Sequence, residues 1–95
     1  MIFAAVISYG TDKSKIAEVR PAHRQYLMSL RDAGRMAING PFGDDSGALI
    51  VYSADTKDEV DAMLRDDPFA KAQVFASWTI REWNPAFINR SLLPE

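Results

Sequence analysis

Twice along this chain the apolar spacing switches from every second residue to every third or fourth and back, which leaves few folds open. Residues 2–9 are rich in β-branched and aromatic types and end at Gly10-Thr11-Asp12, a strand followed by a turn. Over residues 13–33, Ile16, Val19, His23, Tyr26 or Leu27, and Leu30 recur at helical steps, with Lys15, Glu18, Arg24, Gln25 and Arg31 mostly off that stripe. Thr11 or Asp12 is placed to cap this helix and Gly34 to stop it. Pro21 either kinks it or begins a second helix at its first turn. Residues 35–39 form a short strand, 40–47 a turn-rich loop and 48–53 the next strand, giving a hairpin with a long tip. Thr56-Lys57-Asp58-Glu59 is a capping-box pattern opening a helix that carries Val60, Met63 and Leu64 on one face. Asp66-Asp67-Pro68-Phe69 ends that helix, with Asp67 placed to cap a short turn begun by Pro68. Residues 73–83 are a last, long strand.

The order is β-α-β-β-α-β. Right-handed crossovers then put two main helices on one face of a four-stranded antiparallel sheet, a ferredoxin-like α+β arrangement. A length of 95 residues suits one domain. We assign residues 1–87 to it and 88–95 to a C-terminal tail. With 47% hydrophobic and 25% charged residues the chain has the make-up of a globular protein. The apolar start, Met1 to Ile7, lacks a basic flank and is too short to span a membrane.

A sheet face left to water alternates with polar residues, and this one does not. One face of the first strand carries Ile2, Ala4 and Val6, and the other Phe3, Ala5, Ile7 and Tyr9. The third strand sets Leu49 and Val51 against Ala48, Ile50 and Tyr52. The last sets Val74, Ala76, Trp78 and Ile80 against Phe75, Ser77 and Thr79. An uncovered apolar face calls for a partner. Two sheets packed face to face in a homodimer would supply it, and so would the tail, with Phe87, Ile88, Leu92 and Leu93, folded back over the sheet.

The net charge of -2 and the absence of any Lys/Arg run argue against nucleic acid and anionic membranes as partners. With no cysteine there is no disulfide framework, thiolate metal site or thiol nucleophile, which fits the reducing cytoplasm. One histidine and no cysteine also make a transition-metal centre a poor expectation.

That histidine, His23, lies on the apolar stripe of the first helix, so its imidazole is at least partly buried and needs a hydrogen-bond partner. It is either a core histidine held by a backbone carbonyl or a general acid or base. Asp67 is the candidate partner, able to cap a helix with one carboxylate oxygen while the other faces the imidazole. Arg20, one turn before His23, would hold an anionic substrate or stand solvated. Asp44 and Asp45 are either hairpin-turn residues or the rim of a pocket. Phe42, Phe69 and Trp78 are candidate pocket walls, and Gly40 and Pro41 join them as candidate substrate contacts. The loop at 40–47 lacks the glycine spacing and the Lys-Ser/Thr ending of a phosphate loop.

Taken in order, Val19-Arg20-Pro21-Ala22-His23, Leu30-Arg31-Asp32-Ala33-Gly34-Arg35, Asn39-Gly40-Pro41 and Asp66-Asp67-Pro68-Phe69 resemble the YciI-like (YCII-related) family, over roughly Met1 to Trp83. The resemblance implies a dimeric α+β barrel and an active site of one histidine and one aspartate, here His23 and Asp67. Some members resemble muconolactone isomerases, and a relative is a dehydrochlorinase of a hydroxylated aromatic ring. The chain departs from better-known members in a shorter 41–47 loop and the extra tail, so substrate identity does not transfer. The expectation is a cofactor-independent enzyme that moves a proton on a small cyclic or aromatic substrate. The alternative is a non-catalytic dimeric module that binds a small molecule or a protein.

Overall fold

The computed structural model describes residues 1–94; Glu95, the last residue assigned to the tail, lies outside them. Strand β1 (Ile2–Tyr9) leads to helix α1 (Lys13–Asp32), and strands β2 (Met36–Pro41) and β3 (Gly47–Ser53) form the hairpin. Helix α2 (Lys57–Asp66), the single turn α3 (Pro68–Lys71) and strand β4 (Phe75–Glu82) complete the fold, before a short 3₁₀ turn at Arg90–Leu92. All strand pairings are antiparallel, in the order β2-β3-β1-β4. The expected α+β, ferredoxin-like arrangement is therefore what forms. No helix among the described residues is long and apolar enough to cross a membrane.

The caps follow the residues that announced them. Asp12 accepts from the Lys15 amide at 3.0 Å and opens α1. Gly34, at φ 75°, closes it while the Arg35 N–H returns to the Leu30 carbonyl at 2.8 Å. Thr56 accepts from the Glu59 amide, and the Glu59 carboxylate accepts from Asp55 N–H, one residue earlier than a strict capping box places it. Pro21 neither ends α1 nor starts a new helix, because α1 runs through it. Ile16 before it and His23 and Leu27 after it are buried on the same side, so both halves of the helix are held to one core.

Two strands differ from expectation. Strand β2 extends through Gly40 and Pro41, which pair with Leu49 and Ala48, so both belong to the sheet and not to the loop. Strand β4 begins at Phe75, not at residue 73, because α3 ends in a left-handed turn: Gln73 takes φ 63° and the Val74 N–H reaches back to the Phe69 carbonyl at 2.8 Å. The register of β1 against β4 then shifts, with Ser8 opposite Ser77 but Tyr9 opposite Phe75. The extra residue is a bulge. It turns Phe75 onto the face of Tyr9, Trp78 and Ile80, where simple alternation puts it on the opposite face with Ser77 and Thr79.

One face of the sheet meets the helices. Phe3, Ala5, Ile7, Ile50, Tyr52, Phe75 and Ile80 join Ile16, Leu27, Val60, Met63, Leu64 and Phe69 in a single core. Gly47 lets β3 approach β1, since a Cβ there would lie 1.9 Å from the Ile7 carbonyl oxygen. The other face is bare of helices. Val6 is 50% exposed, and Ile38 and Leu49 are exposed beside it, while β4 contributes Ser77, Thr79 and Arg81 there. The tail does not cover this face: Phe87 is 100% exposed, and Ile88, Leu92 and Leu93 are exposed as well.

A proline inside a helix forfeits one backbone hydrogen bond and costs about 3 kcal/mol, partly offset by its stiffening of the unfolded chain. Pro21→Ala is therefore expected to stabilise the fold by about 1–2 kcal/mol, read from the midpoint of urea unfolding. An unchanged or lower midpoint would show that α1 needs the proline's geometry.

Candidate active site

Asp67 is the pivot. It sits where α2 gives way to α3, its backbone is extended, and it is fully buried, at 0% exposure. Proline at the next position forces this break and opens the next turn. The Oδ1 atom accepts from the Phe69 amide at 2.8 Å, which caps α3. His23, 6% exposed, comes from the buried side of α1 and places Nδ1 2.8 Å from Oδ1 and 2.9 Å from Oδ2. The expected division of labour, one oxygen per donor, is thus replaced by a shared one. Oδ1 serves both the amide and the imidazole, and Nδ1 lies across both oxygens.

An ionised carboxylate only accepts, so Nδ1 carries the proton. That leaves Nε2 of a neutral imidazole with its lone pair free. Among the described residues no protein group bonds Nε2. Among the described residues the only buried, unpartnered side-chain polar atom is the Tyr52 hydroxyl, so Nε2 keeps contact with solvent.

Aromatic rings frame the imidazole. Phe69 stacks on it at 4.0 Å between centroids and 13° between planes. Phe75 meets it edge-on at 6.0 Å. Tyr9 packs edge-on to Phe69 at 5.5 Å and parallel to Phe75 at 6.1 Å. Trp78 extends the cluster through Phe75 at 6.1 Å, and its indole N–H donates to Asp61 on α2 at 2.9 Å.

Arg20 lies one helical turn before His23. Its Nη2 donates to both oxygens of Asp45 at 2.8 and 3.0 Å, so the Asp45 side chain reaches from the hairpin turn to α1. The Tyr9 phenol feels both pairs and is a hydrogen-bond neighbour of the Arg20 side chain. Burial raises its pKa most, Arg20 lowers it, and the charges of Asp45 and Asp67 raise it. Burial, then the Asp67 charge, also pushes Tyr26 up to about 12 and Tyr52 higher still.

The structure therefore brings together His23, Asp67, Phe69 and, at the edge, Arg20 and Trp78. Gly40, Pro41 and Phe42 make no hydrogen bond or ring contact with the imidazole among the described residues. Gly40 pairs with Leu49 on the helix-free face. Pro41 stands three strands from Trp78 along the row Pro41, Ala48, Ile7, Trp78, about 14 Å at the usual strand spacing. Phe42 is exposed beyond the strand end. Sequence reasoning missed Tyr9 and Phe75. Tyr9 has a signal, an aromatic at the end of a strand whose face is otherwise core; Phe75 has none, since the bulge that turns it inward leaves no mark in the alternation. Among the described residues no group of three or more His, Asp or Glu side chains is arranged to hold a metal ion.

Comparison with known proteins adds the following. The YCII-related domain matches residues 1–84. The chain is also similar to the solved structure of 5-chloro-2-hydroxyhydroquinone dehydrochlorinase (TftG) from Burkholderia phenoliruptrix, in complex with 2,5-dihydroxybenzoquinone. The two superpose with a TM-score of 0.76 at 26% identity, over 90% of this chain and 96% of that one. No curated protein matches the chain at a significant level.

Removing the carboxylate leaves a buried amide and a buried imidazole nitrogen without their acceptor. Asp67→Ala is expected to cost about 3–5 kcal/mol in urea unfolding, against about 1 kcal/mol for loss of an ordinary exposed cap. A cost no larger than that of the exposed cap Asp12→Ala would show that the two segments hold together without Asp67.

Proposed function

The chain belongs to the YCII-related domain family, and on that premise we propose that it is a proton-transfer enzyme, an isomerase or a lyase of the dehydrochlorinase kind, acting on a small cyclic or aromatic metabolite. The observation that carries this reading is the state of His23: Nδ1 is held by a buried carboxylate and Nε2 is free and reaches solvent. A histidine kept only for packing needs no such carboxylate. The relation to a dehydrochlorinase of a chlorinated hydroxyhydroquinone supports the substrate class.

In this reading Nε2 takes a proton from a ring hydroxyl or an acidic C–H. The imidazolium that forms is stabilised by Asp67 and by the Phe69 face. The electron pair left on the substrate moves into the ring, and Arg20 offers it a positive charge. In an elimination the imidazolium returns the proton to the chlorine-bearing ring carbon, Nε2 then takes the proton of a second hydroxyl, and the electron pair left there expels chloride, so the ring becomes a quinone with net loss of HCl. In an isomerisation the imidazolium returns the proton to a different carbon. Neither path calls on a metal or a cofactor. Phe69 and Trp78 would wall the bound ring.

Two copies pair through their helix-free faces in this proposal, which buries Val6, Ile38 and Leu49. The domain ends near Phe87 and residues 88–95 are its tail. A cytoplasmic setting suits a chain without cysteine. One observation favours the second reading, a dimeric binding module: His23 lines neither the depression of about 390 Å³ (Ala4, Leu49, Arg81, Glu82, Trp83) nor that of about 340 Å³ (Tyr26, Leu30, Arg35 and residues of α2).

The test is chloride release from 5-chloro-2-hydroxyhydroquinone and solvent-deuterium exchange into hydroquinones. His23→Ala is expected to lose about 10²–10⁴-fold in rate. Asp67→Asn should lose as much, because the new amide donates to Nδ1 and drives the proton onto Nε2; ¹⁵N NMR of the imidazole reads that tautomer change directly. Folded variants with wild-type rates would sink the enzyme reading, and binding without turnover by wild type would favour the module. Light scattering after size exclusion is expected to give a dimer, and Val6→Lys a folded monomer; a wild-type monomer would refute the pairing.

A further inference from the structure

The Arg20–Asp45 pair is left over once the histidine pair is explained, and its geometry is unusual for a brace. Asp45 sits at the tip of the β2–β3 connection in a left-handed conformation, φ 57°. Asp tolerates this region at some cost. The tip holds its shape without the ion pair. Asp45 N–H donates to the Phe42 carbonyl at 2.8 Å, Phe42 N–H to the Gly47 carbonyl at 2.8 Å, and Ser46 N–H and Oγ to Asp44 Oδ1. Tyr9 N–H fastens it to β1 through the Ser46 carbonyl at 2.8 Å.

The ion pair itself is incomplete. Nη2 of Arg20 alone serves both Asp45 oxygens, whereas a guanidinium that binds a carboxylate as a fork uses two nitrogens. The Tyr9 phenol is the guanidinium's other hydrogen-bond neighbour. Both side chains are about one-third exposed, where an ion pair is weak and exchangeable. The pair also lies at the site: Arg20 is one turn from His23, and the Tyr9 phenol feels Arg20, Asp45 and Asp67 together.

We propose that in the free protein Asp45 occupies the Arg20 guanidinium which the reaction above uses, and that an anionic oxygen of the substrate, a phenolate, enolate or carboxylate, displaces Asp45 on binding. The inference deepens the reaction proposed above and rests on it for the identity of the substrate. Asp45 then sets affinity and charge preference. It competes for the guanidinium, and in the free protein it holds Arg20 beside Tyr9, one turn from His23.

The probes are 2,5-dihydroxybenzoquinone, whose enolic hydroxyls are ionised at neutral pH, neutral hydroquinone, and benzoate, an aromatic carboxylate unrelated to the reaction. Asp45→Asn keeps the side-chain size and the backbone hydrogen bonds of the tip. It is expected to tighten the two anions about fivefold, a gain of about 1 kcal/mol, and to leave hydroquinone unchanged. Arg20→Gln is expected to weaken both anions about tenfold and to erase the effect of Asp45→Asn in the double variant. In NMR, benzoate should move the Arg20 Nε–H and Asp45 amide signals together in the wild type.

A purely structural brace predicts the reverse, weaker binding of every probe in Asp45→Asn. That result, or equal tightening of hydroquinone, or benzoate at tens of millimolar moving neither signal, overturns the exchange. Failure of dihydroxybenzoquinone alone, with benzoate behaving as expected, counts against the proposed reaction and leaves the exchange standing.

Discussion

Everything around the candidate site hangs on one buried carboxylate. Asp67 ends α2, caps α3 and holds His23, which lies 44 residues earlier in the chain. A charge at 0% exposure is tolerated only where donors replace its water. Here they are a backbone amide fixed by the first turn of α3 and an imidazole fixed by α1. Each needs the other elements in place, so the carboxylate couples the packing of α1 against α3 to the tautomer of the histidine. The chemistry is a by-product of that coupling: once Nδ1 is committed, Nε2 is the only basic nitrogen left to face solvent.

The aromatic frame depends on two backbone irregularities that follow Asp67 directly. The left-handed Gln73 closes α3 after a single turn, and the bulge where Tyr9 meets Phe75 then rotates Phe75 toward the helices. Without the bulge Phe75 would lie on the bare face and the imidazole would lose its edge-on neighbour. Phe69 gains its place differently. It follows the capped proline turn, so the residue whose amide binds Asp67 also lays its ring on His23. Cap, stack and acid–base pair are thus built from three consecutive positions, Asp67 to Phe69, and one residue of α1.

The same bulge changes the character of the opposite face. With Phe75 withdrawn, β4 presents Ser77, Thr79 and Arg81 there, and the apolar centre is confined to β1, β3 and β2. The surface that asks for a partner is therefore smaller and more lopsided than strict alternation implies. The tail adds exposed apolar side chains near the last strand instead of covering the sheet.

The order of elements, the caps at Asp12, Thr56 and Asp67, and the stop at Gly34 were legible in the sequence. Each depends on interactions within a few residues, where hydrophobic period and side-chain chemistry decide the backbone. The pairing of His23 with Asp67 was legible as a possibility, because a histidine on a buried stripe needs a partner and the topology returns α3 to α1. Three-dimensional packing alone decided the rest. Pro21 sits inside a continuous helix because core contacts on both sides outweigh a local penalty. Phe75 faces the site because a bulge undoes the alternation that a strand is read by. The Asp45 side chain reaches Arg20, and Gly40 and Pro41 join the sheet, because long-range register, which no local pattern encodes, sets which residues meet across the fold.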